Sequence, residues 1–342
     1  MTQPTPPARA PTPAPVPTTS QSANVQAASR ACRALLQEVG RTIVGKPVVL
    51  EKALIGILTG GHVLFEDYPG LGKTLLVKTF ARASGLEFSR IQFTPDLLPS
   101  DITGTHVFNA KTSEFTLRKG PVFTNLLLAD EINRAPPKTQ SALLEAMAEG
   151  QTTLEGTTLA LPQPFLVFAT QNPIEQEGTY PLPEAQMDRF MLRLSVGHPA
   201  EEEEVEVLRR SEGWADKDPP TQRVVDARTL VLAQEAARGI KASDDVKRYM
   251  VKLVHATRRD PRVSLGASPR GSLALLKAAK AHALLRGRDF VTPDDVKAVS
   301  VEALSHRLIL TPESRVRLVR PQQVIADALQ MVPLPPVAKA EY

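Results

Sequence analysis

Residues 61–74 have the sequence GHVLFEDYPGLGKT, and this stretch decides the fold that the chain is predicted to adopt. The apolar run at 63–65 predicts a strand, and the apolar spacing after Lys73 predicts a helix. Between them, Gly70 and Gly72 lack a Cβ, so the backbone can turn tightly and direct its N–H groups inward at the positive end of the helix dipole. This order of strand, glycine-rich turn and helix is typical of a phosphate-binding site.

Lys73 and Thr74 carry the chemistry expected at such a turn. The ammonium of Lys73 is expected to reach the β- and γ-phosphates of a nucleotide, and the hydroxyl of Thr74 to ligate Mg²⁺. The usual pattern has a glycine six residues before the lysine, where this chain has Asp67, so the match holds only from Pro69 onward. The alternative is a glycine-rich turn that binds no ligand.

Composition is that of a soluble globular protein with room for two domains. The 342 residues are 42% hydrophobic and 23% charged, and no apolar run approaches the ~20 residues that a membrane-spanning helix needs. The 41 Lys and Arg are interleaved with 37 Asp and Glu, so a net charge of +4 gives no support for nucleic-acid binding. The single cysteine, Cys32, excludes an internal disulfide, suits a reducing cytoplasm and is expected to pack within a helix.

Four segments are predicted along the chain. Residues 1–22 are rich in Pro, Thr and Ala and are expected to form a disordered tail without the pattern of a secretory signal. Residues 23–198 are expected to form an α/β nucleotide-binding core, and 199–331 a small helical domain. Residues 332–342, which contain three prolines, are expected to form a loose end.

The core is predicted to alternate strands and helices, with two hairpins inserted. Residues 96–104 are expected to form a loop, and after Pro199 only helical patterns are found. Ser268-Pro269 and Thr292-Pro293 each place an N-cap before a proline at the first helical position. The predicted helices are 29–40, 48–58, one opening at Lys73, one that contains Leu143, Leu144 and Met147 and stops at Gly150, one opening at 201, 227–238, 243–257, 268–285 and 292–304. The predicted strands are 63–65, 88–93, 125–129, 165–170 and 191–196, and the predicted hairpins are 105–117 and 152–161.

Acidic and amide side chains follow two of the predicted buried strands. Asp130 and Glu131 end one strand, and Asn172 follows another. Because ligands of open α/β sheets bind at the carboxyl ends of the strands, these side chains are expected to face the glycine-rich turn. Asp130 suits contact with Mg²⁺, Glu131 suits a base that polarises the attacking water, and Asn172 suits a group that holds this water. The alternatives are solvated acids and an asparagine in a turn.

Further candidates have less specific signals. Val44 and Gly45 form either a wall for an adenine ring or a purely structural packing contact. Arg189 is either a surface charge or a cation for the γ-phosphate of a neighbouring subunit. Arg270 lies in the first turn of a predicted helix, where the dipole disfavours a cation, and this favours a phosphate partner for it.

Taken together, these features resemble the AAA+ ATPases, and the exact residues of five segments resemble the MoxR family. The resemblance covers roughly residues 37–330. The matching segments are LFEDYPGLGKT at 64–74, FTPDLLPSD at 93–101, DEINRA at 130–135, TQNP at 170–173 and LPEAQMDRF at 182–190. Gly271 departs from the family, which more often has alanine there.

The resemblance implies a five-stranded parallel sheet flanked by helices, two β-hairpin inserts, a small all-α lid and a homo-hexameric ring. It implies that Asn172 is the first sensor, Arg189 the trans-acting finger, Arg270 the second sensor, and Arg134 a second candidate for a trans contact. ATP and Mg²⁺ are the expected cofactors, and Thr74 and Asp130 the expected metal contacts. The expected nucleotide-binding residues are Asp67, Pro69, Gly70, Leu71, Gly72, Lys73, Thr74 and Leu75, with Val44 and Gly45.

The function implied by the resemblance is chaperone-like, ATP-driven remodelling or maturation of a protein complex, often with a von Willebrand factor A domain partner. Two other functions stay open. A nucleic-acid motor would need a basic hairpin, and the hairpin at 105–117 contains only Lys111, with Arg118 and Lys119 just after it. A nucleotide-gated scaffold would bind ATP with little hydrolysis, against which the presence of Glu131 and Arg189 argues.

Overall fold

The computed structural model describes residues 19–111, 113–154, 156–173, 178–214 and 219–335. Five of its strands form one parallel sheet in the order β2-β5-β8-β1-β9, which confirms the predicted core. The strands in chain order are β1 His62–Glu66, β2 Phe88–Gln92, β3 Gly104–Asn109, β4 Glu114–Lys119, β5 Leu126–Asp130, β6 Gln151–Leu154, β7 Thr157–Ala160, β8 Leu166–Gln171, β9 Phe190–Leu194, β10 Val263–Leu265 and β11 Ile309–Leu310.

The helices flank this sheet and continue beyond it into the C-terminal part of the chain. Seven of them begin with a proline, whose fixed φ suits the first helical turn and whose missing N–H is not needed there. In chain order the helices are α1 Thr19–Thr42, α2 Pro47–Leu58, α3 Lys73–Ser84, α4 Pro99–Thr103, α5 Pro137–Glu149, α6 Glu184–Met187, α7 Glu201–Trp214, α8 Ala227–Gly239, α9 Asp244–Arg259, α10 Pro269–Leu285, α11 Pro293–Leu304, α12 Pro312–Val316 and α13 Pro321–Met331.

The central strands of the sheet, β1, β5 and β8, are buried on both faces. Successive residues of a strand point to opposite faces, so in β1 the side chains of Val63 and Phe65 join one hydrophobic cluster and that of Leu64 joins another. The first cluster also contains residues of α1, α2, α3 and the C-terminal helices, whereas the second contains residues of α5. Burial on both faces explains why these three strands consist mainly of apolar residues.

The two inserted hairpins are present as predicted. Strands β3 and β4 pair antiparallel from Gly104↔Lys119 to Asn109↔Glu114, and β6 pairs with β7. At the first hairpin's tip, the rings of Phe108 and Phe115 pair across the strands with centroids 5.3 Å apart, although their residues are 53% and 71% exposed. Thr112 and Glu155, in the predicted turns, lie outside the described residues.

The C-terminal part of the chain is a helical lid, with one correction. The prediction that no strand follows Pro199 is wrong, because β10 and β11 pair antiparallel. Strands of three and two residues are too short to produce a recognisable period in the sequence. Their pairing joins the segment after α9 to the segment after α11, and so links two distant parts of the lid.

Helix α1 also differs from the prediction. It begins at Thr19 instead of residue 29, so the expectation of disorder through residue 22 is wrong for residues 19–22. Its buried residues include Cys32, whose thiol pKa burial raises to about 12, in agreement with a packing role. Residues 1–18 and 336–342 lie outside the described part, and 332–335 have no regular structure.

Other boundaries were shifted or missed. The expected loop at 96–104 contains α4, whose backbone is capped where the Asp101 carboxylate accepts a hydrogen bond of 2.9 Å from the N–H of Leu98. Helices α6, α12 and α13 were not predicted. Two of them are only four or five residues long, so an apolar period cannot develop in them.

Asp67 joins the loop after β1 to the end of β9. The residue is 6% exposed, and its carboxylate accepts hydrogen bonds from Ser195 Oγ at 3.0 Å, from the N–H of Gly197 at 3.4 Å and from the N–H of Val196. A buried carboxylate needs such donors to offset the loss of water. The residue that breaks the glycine pattern is therefore a structural tie between two neighbouring strands.

A buried ionic cluster holds the lid helices together. Asp295 is fully buried and accepts hydrogen bonds from Arg288 at 2.6 and 2.7 Å, from His282 Nδ1 at 2.6 Å and from the N–H and hydroxyl of Thr292. Burial alone would raise the pKa of Asp295, but these hydrogen bonds hold it well below its ordinary value. Burial would lower the pKa of His282, whereas hydrogen bonds to Asp295 and Glu51 raise it.

Replacing Asp295 with asparagine should lower the free energy of unfolding by about 3 kcal/mol at pH 7, because Arg288 and His282 lose a buried partner. The pKa of Asp295 is depressed in the folded state, so its contribution is present above its unfolded pKa of about 3.9 and is lost as the pH falls further. Urea unfolding from pH 7 to pH 3 measures this. Asp294→Asn is the matched control, since that side chain is 87% exposed. Equal effects of the two substitutions would contradict the assignment.

Asp67→Gly restores the usual glycine of the phosphate-loop pattern, yet it should destabilise the protein. Three donors at the end of β9 lose their acceptor, at a cost of about 2 kcal/mol. Asp67→Asn keeps one acceptor oxygen and should lose less. Urea unfolding midpoints of the two variants test this, and a glycine variant as stable as the wild type would exclude the structural tie.

Candidate functional site

The glycine-rich loop between β1 and α3 forms an open cradle. Gly70 and Gly72 have φ values of +83° and +75°, a region in which side chains are strained. At both positions no heavy atom lies within 4 Å of the place where a Cβ would stand. The loop therefore leaves open space beside both glycines just before α3, and the start of a helix favours an anionic phosphate.

Lys73, the first residue of α3, lies over this loop. Its ammonium donates hydrogen bonds to the carbonyl oxygens of Tyr68 at 2.5 Å and Asp67 at 3.2 Å. Burial lowers the pKa of Lys73, while the carboxylates of Asp67, Asp130 and Glu131 act in the opposite direction. The cation is therefore held inside the loop, close to the acids at the end of β5.

Asp130 and Glu131 are joined through the hydroxyl of Thr170 on the neighbouring strand β8. This hydroxyl donates to Asp130 Oδ1 at 2.6 Å and accepts from the N–H of Glu131 at 2.8 Å. Glu131 has a φ of +56°, which is strained for a residue with a side chain and turns the chain sharply after Asp130. Thr170 thus holds the Asp130 carboxylate and the Glu131 backbone in place at the edge of the sheet.

The edge strand β2 contributes two polar residues that the sequence analysis did not identify. Arg90 donates to Asp130 Oδ2 through Nη2 at 2.7 Å and Nε at 3.2 Å. Gln92 donates to Glu131 Oε2 at 2.8 Å. Residues 90 and 92 share one face of β2, which pairs with β5, so the alternation in the strand was the signal that could have found them.

These residues line one cavity of about 370 Å³. It contains the expected Asn172, which is 8% exposed, and also Gln171, whose side-chain oxygen is buried without a hydrogen-bond partner among the described residues. The lining residues are Asp67, Pro69, Gly70, Leu71, Gly72, Lys73, Thr74, Leu75, Arg90, Gln92, Asp130, Glu131, Thr170, Gln171 and Asn172. Cations, acids and amides therefore converge on the open cradle.

A second, more apolar cavity of about 380 Å³ adjoins the first and shares Leu71 and Leu75 with it. Val44 lines this cavity, together with Trp214, which is the chain's one tryptophan. Gly45 does not line it. A Cβ on Gly45 would stand 2.1 Å from the carboxyl carbon of Glu203, so this glycine lets α7 pack against the preceding segment.

The three candidate arginines lie outside the phosphate cavity of their own chain. Arg189 is exposed in the turn immediately before β9. The side chain of Arg270 is 68% exposed, with Nη1 3.9 Å from Asp188. Arg134 Nε lies 2.9 Å from Glu131 Oε2, so this arginine contacts an acid of its own chain.

An arginine that the sequence analysis missed connects the lid to the core. Arg307 is almost fully buried, and its Nε donates to Asp188 Oδ1 at 2.7 Å while Nη2 donates to the carbonyl oxygen of Phe190 at 2.7 Å. Asp188 precedes Arg189 and also faces Arg270. Arg189 and Arg270 therefore both lie next to the core–lid contact between Asp188 and Arg307.

The arrangement can bind a nucleotide with its phosphates in the cradle and its base in the apolar cavity. Thr74 and Asp130 both line the cavity beside the glycine-rich loop and offer oxygen ligands of the kind that Mg²⁺ prefers. Glu131 and Asn172 offer groups that can orient a water molecule. The donor set therefore fits both Mg²⁺ and a nucleoside triphosphate.

Comparisons with known proteins agree with this geometry. The profile described as the ATPase family associated with various cellular activities (AAA) matches residues 62–192, and the AAA lid domain profile matches residues 255–328. The first match spans all five strands of the parallel sheet apart from the last two residues of β9. The second covers most of the helical lid.

Two relatives and one solved structure are similar over most of the chain. Chaperone MoxR1 from Mycobacterium tuberculosis is 48% identical over 309 residues, which cover 88% of this chain and 81% of that protein. The uncharacterized protein YeaC from Bacillus subtilis is 47% identical over 303 residues, with coverage of 88% and 93%. The crystal structure of a candidate ATPase from Cytophaga hutchinsonii superposes with a TM-score of 0.87 at 42% identity, covering 92% of this chain and 98% of that one.

Similarity at this level covers 88 to 92% of this chain. With this fold, this cavity and these relatives, the chain belongs to the MoxR family of AAA+ ATPases.

Proposed function

We propose that this protein hydrolyses ATP with Mg²⁺ as cofactor. The observation that carries the proposal is the convergence of Lys73, Asp130, Glu131 and Asn172 on one cavity beside the open glycine cradle. Each of these residue types has a defined part in phosphoryl transfer, and the family membership of the chain supports the same reaction.

Binding would use groups that the chain already holds in place. The loop N–H groups and the start of α3 attract the phosphates, and the ammonium of Lys73 exchanges its carbonyl partners for phosphate oxygens. The base would lie against Val44, Leu75 and Trp214 in the adjoining apolar cavity. Thr74 and Asp130 would hold Mg²⁺, which when bound neutralises charge on the phosphate oxygens.

Hydrolysis would depend on the residues at the ends of β5 and β8. The Glu131 carboxylate accepts a proton from the attacking water, while the amide of Asn172 orients that water beside the γ-phosphate. Without nucleotide, Gln92 and Arg134 hold the Glu131 carboxylate, so the base contacts protein donors before the reaction. Releasing it is a step that nucleotide or a neighbouring subunit would control.

The proposal extends to a homo-hexameric ring. Arg189 and Arg270 lie outside the cavity of their own chain, and Arg189 is exposed. A loose phosphoryl-transfer transition state needs a planar cation near the γ-phosphate, which a neighbouring subunit could provide through Arg189. Arg270 would reach the phosphate by movement of the lid about the contact of Asp188 with Arg307.

We also propose that the ring remodels other proteins in the cytoplasm, with a von Willebrand factor A domain protein as the expected partner. The exposed aromatic pair of Phe108 and Phe115 supports contact with a protein client, because exposed aromatic side chains favour protein interfaces. The relative from Mycobacterium tuberculosis is itself named a chaperone.

Glu131→Gln should reduce ATP turnover by a factor of about 10² to 10⁴ while nucleotide binding persists, because only the base is lost. Arg189→Ala should lose turnover in the same way. An equimolar mixture should regain activity, since an intact Glu131 in one subunit meets an intact Arg189 from its neighbour. Phosphate release against protein concentration measures this, with Glu145→Gln, an exposed acid on α5, as the control. Full activity of Arg189→Ala at every concentration would exclude the shared site.

Saturating ADP should change the fluorescence of Trp214, because this single tryptophan lines the cavity proposed for the base. Titration of the wild-type chain, followed in parallel by calorimetry, measures the effect. Trp214→Phe should still bind ADP but lose the signal. Calorimetric binding without a change in fluorescence would place the base elsewhere.

A further inference from the structure

We propose that Arg90 is a built-in counter-cation, which occupies one oxygen of Asp130 in the metal-free site and releases it to the divalent cation. Arg90 would thereby set how strongly nucleotide binding depends on that cation. The inference rests on the proposed Mg²⁺–nucleotide site.

Arg90 has the geometry of an exchangeable ligand. Its Nη2 and Nε both point to Asp130 Oδ2, at 2.7 and 3.2 Å, and Nη2 also donates to Gln92 Oε1 at 3.0 Å. The Arg90 side chain is 48% exposed and that of Asp130 is 14% exposed. Arg90 stands on β2, the edge strand of the sheet, so its side chain can swing into solvent without disturbing the core.

The two oxygens of Asp130 are held by partners of different kinds. Oδ1 accepts from the hydroxyl of Thr170, which is 2% exposed and is itself fixed by the N–H of Glu131. Oδ2 accepts from the half-exposed guanidinium of Arg90. The oxygen available for exchange is therefore Oδ2.

A divalent cation and a guanidinium compete for this oxygen, because like charges at such short distance repel strongly. Binding of the metal therefore favours displacement of Arg90. Until then its charge favours anionic phosphates in the cavity, so it promotes nucleotide binding without metal and opposes binding of the metal.

A purely structural role for the ion pair is less well supported. Strands β2 and β5 already pair along the backbone from Phe88↔Leu126 to Gln92↔Asp130. An exposed ion pair adds little to such a ladder. The position of Arg90 inside the phosphate cavity is explained by electrostatics at the site.

The test measures the coupling between cation and nucleotide in the full-length chain. The ADP dissociation constant is determined by calorimetry with EDTA and with saturating Mg²⁺, and Mn²⁺ binding to the ADP-loaded protein is followed by electron paramagnetic resonance. Compared with the wild type, Arg90→Gln should raise the ratio of the ADP dissociation constant in EDTA to that in Mg²⁺ by about fivefold. It should also tighten Mn²⁺ binding by about fivefold. Arg90→Lys should show a smaller change. Arg118→Gln, which removes an exposed charge from β4, should show none.

Unchanged or reduced coupling in Arg90→Gln, with ADP binding intact, would overturn the role of Arg90 and leave the proposed ATPase standing. A wild-type chain that binds no ADP would overturn both. Urea unfolding establishes that the variants are folded, and if Arg90→Gln does not fold, Arg90→Lys decides the matter. In that case, an Arg90→Lys variant whose ADP coupling and Mn²⁺ binding both equal those of the wild type would overturn the exchange.

Discussion

The structure depends on the central position of β1 in its parallel sheet. Strand β1 lies between β8 and β9, with β5 next to β8, so the carboxyl ends of all these strands open at the same edge. Backbone pairing fixes their register, as in Phe65↔Thr170 and Leu128↔Phe168. Residues from distant parts of the sequence therefore meet at the loop after β1, and a ligand can bind only where this edge is not covered by helices.

At that edge, each charged side chain of the ligand-free site is paired with a protein group. Asp130 and Glu131 are each paired with a cation or an amide of the protein, and Lys73 is held by loop carbonyls. Buried or half-buried charges without partners would destabilise the fold. The same partners are exchanged for phosphate and metal on binding. The contacts that stabilise the charges of the free site are therefore the contacts that the ligand replaces.

The lid is joined to the core by more than a linker. A single hydrophobic cluster contains residues of the sheet, of α1 and of the lid helices, and Arg307 of the lid is buried against the segment at Asp188. Helix α1 contributes a polar contact at each end, where Gln26 binds the carbonyl oxygen of Gly287 and Glu38 accepts from the N–H of Gln222. Packed side chains and hydrogen bonds thus join the lid to the core in addition to the chain itself.

Sequence by itself determined the elements whose residues act locally: the apolar strands, the glycine-rich turn, the proline-started helices, and the acids and amide that follow the strands. It could not determine what depends on pairing between distant segments. The short strands β10 and β11, the tie from Asp67 to β9, and the contact of Arg90 with Asp130 exist only because the tertiary structure brings separate segments within hydrogen-bonding distance. Periodicity encodes which face a side chain takes along its own strand, whereas the identity of its partner is decided by which strand lies alongside.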